Sequence, residues 1–224
     1  MDYGSEDRTL EARWLGRVPY AEGLELQRIA VERRRAGQIP DQLLLLEHPD
    51  VITLGTGADR SHILLSPEQL ERRGYQVFET GRGGDVTYHG PGQLVGYPIL
   101  DLKPDRRDLH RYLRDLEQAL ISALAHWGVV AARKEGLTGV WIDDRRKIAA
   151  IGVRVSSRWI TSHGFAFNVA TDLTRFGAIV PCGIADHPVT SLSAELGRAV
   201  ELAEAIPPVR EALAAVFQRD LVVV

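Results

Sequence analysis

Hydrophobic and polar residues recur along this chain with two periods, and the changes of period divide it into elements. Glu11 to Leu15 reads as a first strand. From Tyr20 to Arg35 apolar positions recur at helical spacing through Leu24, Ile29 and Val31, and Gly37 supplies the stop. Gln42 to Glu47 and Val51 to Leu54 read as strands joined at His48-Pro49. Ser66 has the chemistry of a helix N-cap, Glu68 and Gln69 fall in the first turn, and Gly74 terminates it. Tyr75 to Glu79 is a short strand. A glycine-rich stretch, Gly81 to Gly92, then leads into an apolar strand, Leu94 to Leu100. The clearest helix, Asp108 to Trp127, puts Leu109, Tyr112, Leu113, Leu116, Leu120, Ala123, Leu124 and Trp127 on one stripe, and Gly128 closes it. Strand-like runs follow at Val129 to Arg133, Gly139 to Ile142, Lys147 to Val155 and Gly164 to Val169. Ser191 to Leu196 and Pro207 to Gln218 read as helices. Helices scattered among many strands, without strict βαβ alternation, predict an α+β fold with mixed or antiparallel sheets and flanking helices.

Composition narrows the classes. The 224 residues suit a single domain, taken as 10–224, behind a polar, acidic tail over 1–9. That tail lacks the basic start and apolar run of a signal peptide, and no apolar stretch reaches membrane-spanning length. A cytoplasmic location without membrane attachment is therefore expected. The formal net charge of -3 gives no sign of a nucleic-acid-binding surface. One cysteine excludes an internal disulfide and a cysteine-cluster metal site, and the histidines show no metal-ligand spacing, so no metal is expected. Of the 27 basic residues only Lys103, Lys134 and Lys147 are lysines, so each stands out against arginine.

Four stretches could carry chemistry. In "GRGGDVTYHGPGQLVGYPILDL", Gly81 to Leu102, the glycines let backbone approach a ligand, although a tight hairpin would need them too. The spacing is neither a Rossmann fingerprint nor a P-loop. Arg82, Asp85, Thr87, Tyr88, His89 and Gln93 are more polar groups than a turn requires. "RRKIAAIGVRV", Arg145 to Val155, is by itself a strand with a solvated basic entrance. Yet Ala149, Ala150 and Gly152 leave space where a core strand would fill it, and Lys147, unlike its arginine neighbours, can exchange a proton. In "SHGFAFNV", His163 reads first as a structural hydrogen-bonder. In "IVPCGIADHPVTSL", Cys182 is either a small buried apolar residue or a nucleophile.

Together and in this order, "GRGGDVTYHGPGQLVGYPILDL", "GVWIDDRRKIAAIGVRV", "HGFAFNV" and "IVPCGIADHPVTSL" resemble the octanoyl-acyl-carrier-protein:protein N-octanoyltransferases, the lipoate-protein ligase B family. The likeness runs from about the first strand to about Leu196. It implies a fold like the catalytic module of biotin and lipoate protein ligases. It implies Cys182 as the acyl-thioester nucleophile and Lys147 as its partner. Substrate would be held by Arg82, Gly83, Gly84, Asp85, Val86, Thr87, Tyr88 and His89, by Ala150, Ile151 and Gly152, and by Gly164, Phe165 and Ala166.

The implied reaction moves an octanoyl group from octanoyl-acyl carrier protein to a lysine of a lipoyl domain. The acceptors would be the lipoyl domains of 2-oxoacid dehydrogenases and the glycine cleavage H protein. No cofactor is expected, because thioester exchange is nearly neutral in energy and amide formation from a thioester is downhill. A lysine ammonium near the cysteine would favour the thiolate. Backbone N–H groups near Cys182 and at Gly83-Gly84 are candidate oxyanion donors. Three rivals stand: an ATP-dependent ligase on the same fold, a non-catalytic acyl-carrier-binding domain, and a cysteine hydrolase pairing Cys182 with His89 or His163. Arg145, Arg146 and Arg158 could receive an acidic carrier or simply face solvent.

Overall fold

The computed structural model describes residues 8–104, 106–181 and 187–224. The large sheet among them has eight strands, in the order β11-β1-β2-β6-β10-β9-β8-β7. These are β1 (Thr9–Arg17), β2 (Asp41–Glu47), β6 (Gln93–Ile99), β7 (Ala132–Lys134), β8 (Leu137–Ile142), β9 (Arg146–Val155), β10 (Thr161–Asn168) and β11 (Asp220–Val223). A second sheet sets β3 (Val51–Leu54) between β4 (Gln76–Glu79) and β5 (Val86–His89). The helices are α1 (Tyr20–Arg35), α2 (Pro67–Arg72), α3 (Leu109–Ala125), α4 (Leu192–Leu196) and α5 (Leu202–Phe217). β1 runs parallel to β2 and β11, and the other pairings of the large sheet are antiparallel, so it is mixed. The α+β expectation holds. Thr9, read as tail, instead pairs with Asp220 at the start of β1.

The run Leu43 to Leu46 explains why β2 lies deep in the sheet. Leu43 and Leu45 join a core built with Tyr112, Leu116 and Leu120 of α3 and Val209, Leu213 and Phe217 of α5. Leu44 and Leu46 join a second core on the opposite face, with Ala30 of α1 and Val95, Tyr97 and Ile99 of β6. A strand covered on both faces needs apolar residues at successive positions rather than alternate ones. The small sheet closes a third core, with Ile52, Leu54, Val86, Tyr88 and Phe176.

Three local readings change. The buried face of α1 is Tyr20, Gly23, Gln27 and Ala30, whereas Ile29 is exposed. Aliphatic spacing misplaced this face because the helix lies close to His48, which a Cβ at Gly23 would approach to 2.9 Å. Leu109, assigned to the apolar stripe of α3, is also exposed, because it follows the Asp108 cap at the solvent end. α5 begins at Leu202, before Pro207, since a Glu201–Glu204 capping box forms and Ala205 is buried in the first turns. By contrast, Ser66 caps α2 as expected, and Gln69 completes a capping box with it.

No helix among the described residues is long and apolar enough to cross a membrane. The fold predicts that Leu120→Ala, which empties a fully buried position in the α3–α5 core, costs roughly 2–5 kcal/mol of unfolding free energy in denaturant titration. A loss well below 1 kcal/mol would show that α3 does not anchor the sheet.

Candidate active site

Lys147 reaches the site through a register shift. Val140 of β8 faces Ala149 of β9, but Trp141 faces Lys147, which leaves Ile148 as an extra residue. Ile148 and Ala149 both enter the α3–α5 core, consecutive residues on one side, as a β-bulge allows. Beyond them, Ala150 and Lys147 line one cavity although they are three residues apart. In a regular strand Lys147 would share the core face with Ala149. The bulge turns it out of that core, leaving it 7% exposed with Nζ 4.7 Å from the centroid of the Trp141 ring.

Beside Lys147 lies a cleft on the α1 face of the large sheet. Ala150, Gly152, Gly164 and Ala166 form its floor, where larger side chains would fill it. Its empty volume is about 490 Å³, open solvent at the mouth included. Gly164 is also required for packing, because a Cβ there would stand 2.1 Å from the Gly96 carbonyl oxygen. Thr87, Ala150 and Ala166 line both the cleft and the smaller cavity that holds Lys147, so the two adjoin.

The glycine-rich loop forms the roof. The buried Arg82 guanidinium donates to the Thr53 carbonyl at 2.7 Å and hydroxyl at 2.9 Å, and to the Gly83 carbonyl at 3.1 Å. Gly83 N–H donates to the Val153 carbonyl at 2.9 Å, which ties the loop to β9. That donor is committed, so an oxyanion role for Gly83 is not open to it here. Asp85 accepts from Val86 N–H at 2.7 Å and is paired with His62 Nδ1 at 2.6 Å. β5 then alternates. Thr87 and His89 face the cleft, while Val86 and Tyr88 point into the third core, Tyr88 donating to Asp50 at 2.6 Å.

Of the residues expected to hold substrate, Arg82, Gly84, Asp85, Thr87, His89, Ala150, Ile151, Gly152, Gly164, Phe165 and Ala166 line the cleft. Gly83, Val86 and Tyr88 do not. Ile151 and Phe165 pack their side chains against the opposite core. Tyr20, Val95, Tyr97 and His163 also line the cleft, beyond those expected. Tyr20 sits at the start of α1, in no motif. Val95 and Tyr97 are alternate residues of an apolar strand, and only the tyrosine could have signalled them. Arg146 is occupied by Asp143 and Glu195, at 2.7 and 2.6 Å, whereas Arg145 is exposed.

A hydrogen-bond chain ties the two cavities together. Gln93 Nε2 donates to Asn168 Oδ1 at 2.9 Å, which directs its Oε1 to His89 Nδ1 at 2.8 Å. His89 therefore carries its proton on Nδ1 when neutral. Asn168 donates to the Thr190 carbonyl at 3.0 Å, and Thr190 N–H donates to the Lys147 carbonyl at 2.9 Å. Cys182, the expected nucleophile, lies outside the described residues. Pro181 before it and Val189 after it both line the cavity of Lys147.

Besides Arg82 and Asp85, the cleft is lined by aromatic rings that burial keeps neutral. Burial pushes His89 down to about 3, helped by its neighbour His48, and pushes His48 down to about 4. Burial, then Arg82 and Arg154, hold His163 down to about 4. Burial also raises the Tyr20 phenol to about 12. No group of three or more metal-binding side chains occurs among the described residues.

The lipoyl protein ligase A/B catalytic domain matches residues 19–214. An octanoyltransferase from Myxococcus xanthus is 52% identical over 96% of this chain and 61% of its own length. One from Rubrobacter xylanophilus is 55% identical over 91% of each chain. Among solved structures, the bi-partite lipoate protein ligase of Thermoplasma acidophilum superimposes with TM-score 0.69 at 16% identity, covering 96% of this chain and 88% of that one. Biotin protein ligase from Aquifex aeolicus gives TM-score 0.52 at 12% identity, covering 94% and 70%. These two likenesses concern the fold.

The buried imidazoles set a pH dependence. Their pKa values fall from 6.5 on folding, so on acidification the unfolded chain binds protons that the folded one refuses. Stability should hold above about pH 7 and fall from ~6.5 towards ~4, by up to about 1.4 kcal/mol per pH unit for each histidine. Urea midpoints measured across this range check it. A midpoint level from about pH 7 to about pH 5 would contradict neutral, buried imidazoles.

Proposed function

Because this chain belongs to the lipoyl protein ligase A/B catalytic-domain family, in its octanoyltransferase branch, we propose that it transfers octanoyl from octanoyl-acyl carrier protein to a lipoyl-domain lysine through a Cys182 thioester. The enzyme is an acyltransferase of protein lipoylation. The observation that carries the finer reading is that Lys147 and Pro181, the residue joined to Cys182, line one cavity beside a cleft floored by alanine and glycine.

In the first step the Cys182 thiolate attacks the donor thioester, and the carrier's thiol leaves with a proton. In the second, the acceptor lysine's amine attacks the Cys182 thioester, forming an amide and returning the thiol. Lys147, as an ammonium, favours the thiolate by charge, and as an amine it accepts the proton of the incoming lysine. The thiolate otherwise amounts to a few per cent at neutral pH. The octanoyl tail lies in the cleft, where its methylenes contribute about 0.8 kcal/mol each on burial. Acceptors are lipoyl domains of 2-oxoacid dehydrogenases and the glycine cleavage H protein. The reading places the reaction in the cytoplasm and needs no ATP, since both steps start from a thioester.

Mass spectrometry after mixing with octanoyl carrier protein tests the intermediate. An octanoyl-sized, hydroxylamine-labile adduct on Cys182, absent in Cys182→Ser, is expected. Transfer that needs ATP and free octanoate, with no adduct, would instead assign the chain to the adenylate-forming ligases. Ala150→Leu should shift donor preference towards shorter acyl chains by tenfold or more, since each methylene is worth ~1–3 kcal/mol. An unchanged chain-length profile in donor competition would remove the tail from this cleft.

A further inference from the structure

We propose that Trp141 is a positioning residue for Lys147, its indole face holding the ammonium in the cavity that adjoins the acyl cleft. The proposal rests on the reading of Lys147 as a reacting group. Trp141 is 1% exposed, with the Lys147 Nζ 4.7 Å and the Lys134 Nζ 5.3 Å from its ring centroid. The His187 ring meets it edge-on at 5.4 Å. The bulge in β9 sets Trp141 directly opposite Lys147, and opposed residues of an antiparallel pair share a face. Gly139 completes the arrangement from the same strand. A Cβ there would stand 3.0 Å from Lys147 Cε and 3.4 Å from Nζ, and its φ of +134° is one that side-chain-bearing residues rarely adopt. Lys147 thus lies along β8, over a glycine and against an indole.

An aromatic face suits the task, because an indole attracts the cation through its quadrupole without accepting its proton. Glu117, which is buried, accepts from Gly139 N–H at 3.0 Å and pairs with Arg114 and Arg133 at 3.0 and 3.2 Å, which fixes the strand that carries Trp141. The indole therefore draws the side chain to this position in its charged form, the form that stabilises a thiolate.

Site-specific replacement of Trp141 by mono-, di- and tetrafluorotryptophan tests the proposal, because fluorine drains the ring's negative face at nearly constant volume. The expected result is a stepwise fall of kcat for octanoyl transfer to a lipoyl domain, about fivefold or more by the last member, with unfolding midpoints unchanged. A flat series in an active enzyme overturns it. Trp141→Phe and Trp141→Leu supply a second reading with similar lost volume. Phe should keep kcat above Leu by about fivefold, and equal loss in the two overturns the proposal. Failure of the unsubstituted protein to transfer octanoyl at all would instead sink the functional reading on which this rests.

Discussion

One extra residue in β9 decides where Lys147 stands. Without the bulge at Ile148, the side chain at 147 would point into the α3–α5 core, where an ammonium has no tolerable place. With it, two consecutive apolar residues face that core and Lys147 emerges on the cleft side, opposite Trp141. The cost is one irregular pairing in a long antiparallel ladder. The core offsets it by burying Ile148 and Ala149 together. The strand that forms the cleft floor is thus the same strand that delivers the amine, so cleft and amine keep a fixed relation.

The remaining architecture serves that relation. The large sheet is apolar on both faces, but on the α1 side its apolar cover stops where β9 and β10 carry alanine and glycine. The gap survives because the small sheet and its glycine-rich loop bridge it, anchored by Arg82 on Thr53 and by Gly83 on Val153. Buried tyrosines and neutral histidines supply a wall of low polarity. The chain on either side of 182–186 is held as well: Val180 N–H donates to the His62 carbonyl at 2.7 Å and Lys147 N–H to the Pro188 carbonyl at 3.0 Å. The result is a cleft floored by small residues, walled by aromatic rings and adjoining the cavity of Lys147.

Much of this was legible in the sequence. The limits of α1, the N-cap of α2, the leucine-rich β2 and the small residues of β9 all follow from local chemistry. The four motifs that carried the family resemblance drew together Arg82, His89, Lys147, Ala150 and Ala166 from three distant segments. What stayed hidden depends on pairing between distant strands. Nothing local announces that Val51 to Leu54 joins a separate sheet, or that Asp220 pairs with Thr9. The buried face of α1 was misread because a glycine and a glutamine pack there in place of leucines. Val86 and Tyr88 were grouped with their neighbours because a contiguous motif does not reveal that a strand sends alternate residues to opposite sides.

The central claim is that the Lys147 ammonium keeps the Cys182 sulfur ionised. Because the chain has a single cysteine, the rate of iodoacetamide alkylation against pH reports that thiol alone. The account predicts a thiol titrating below the ordinary value near ~8.5 in the unsubstituted enzyme, and a return towards it in Lys147→Met. Superimposable profiles for the two proteins would contradict it.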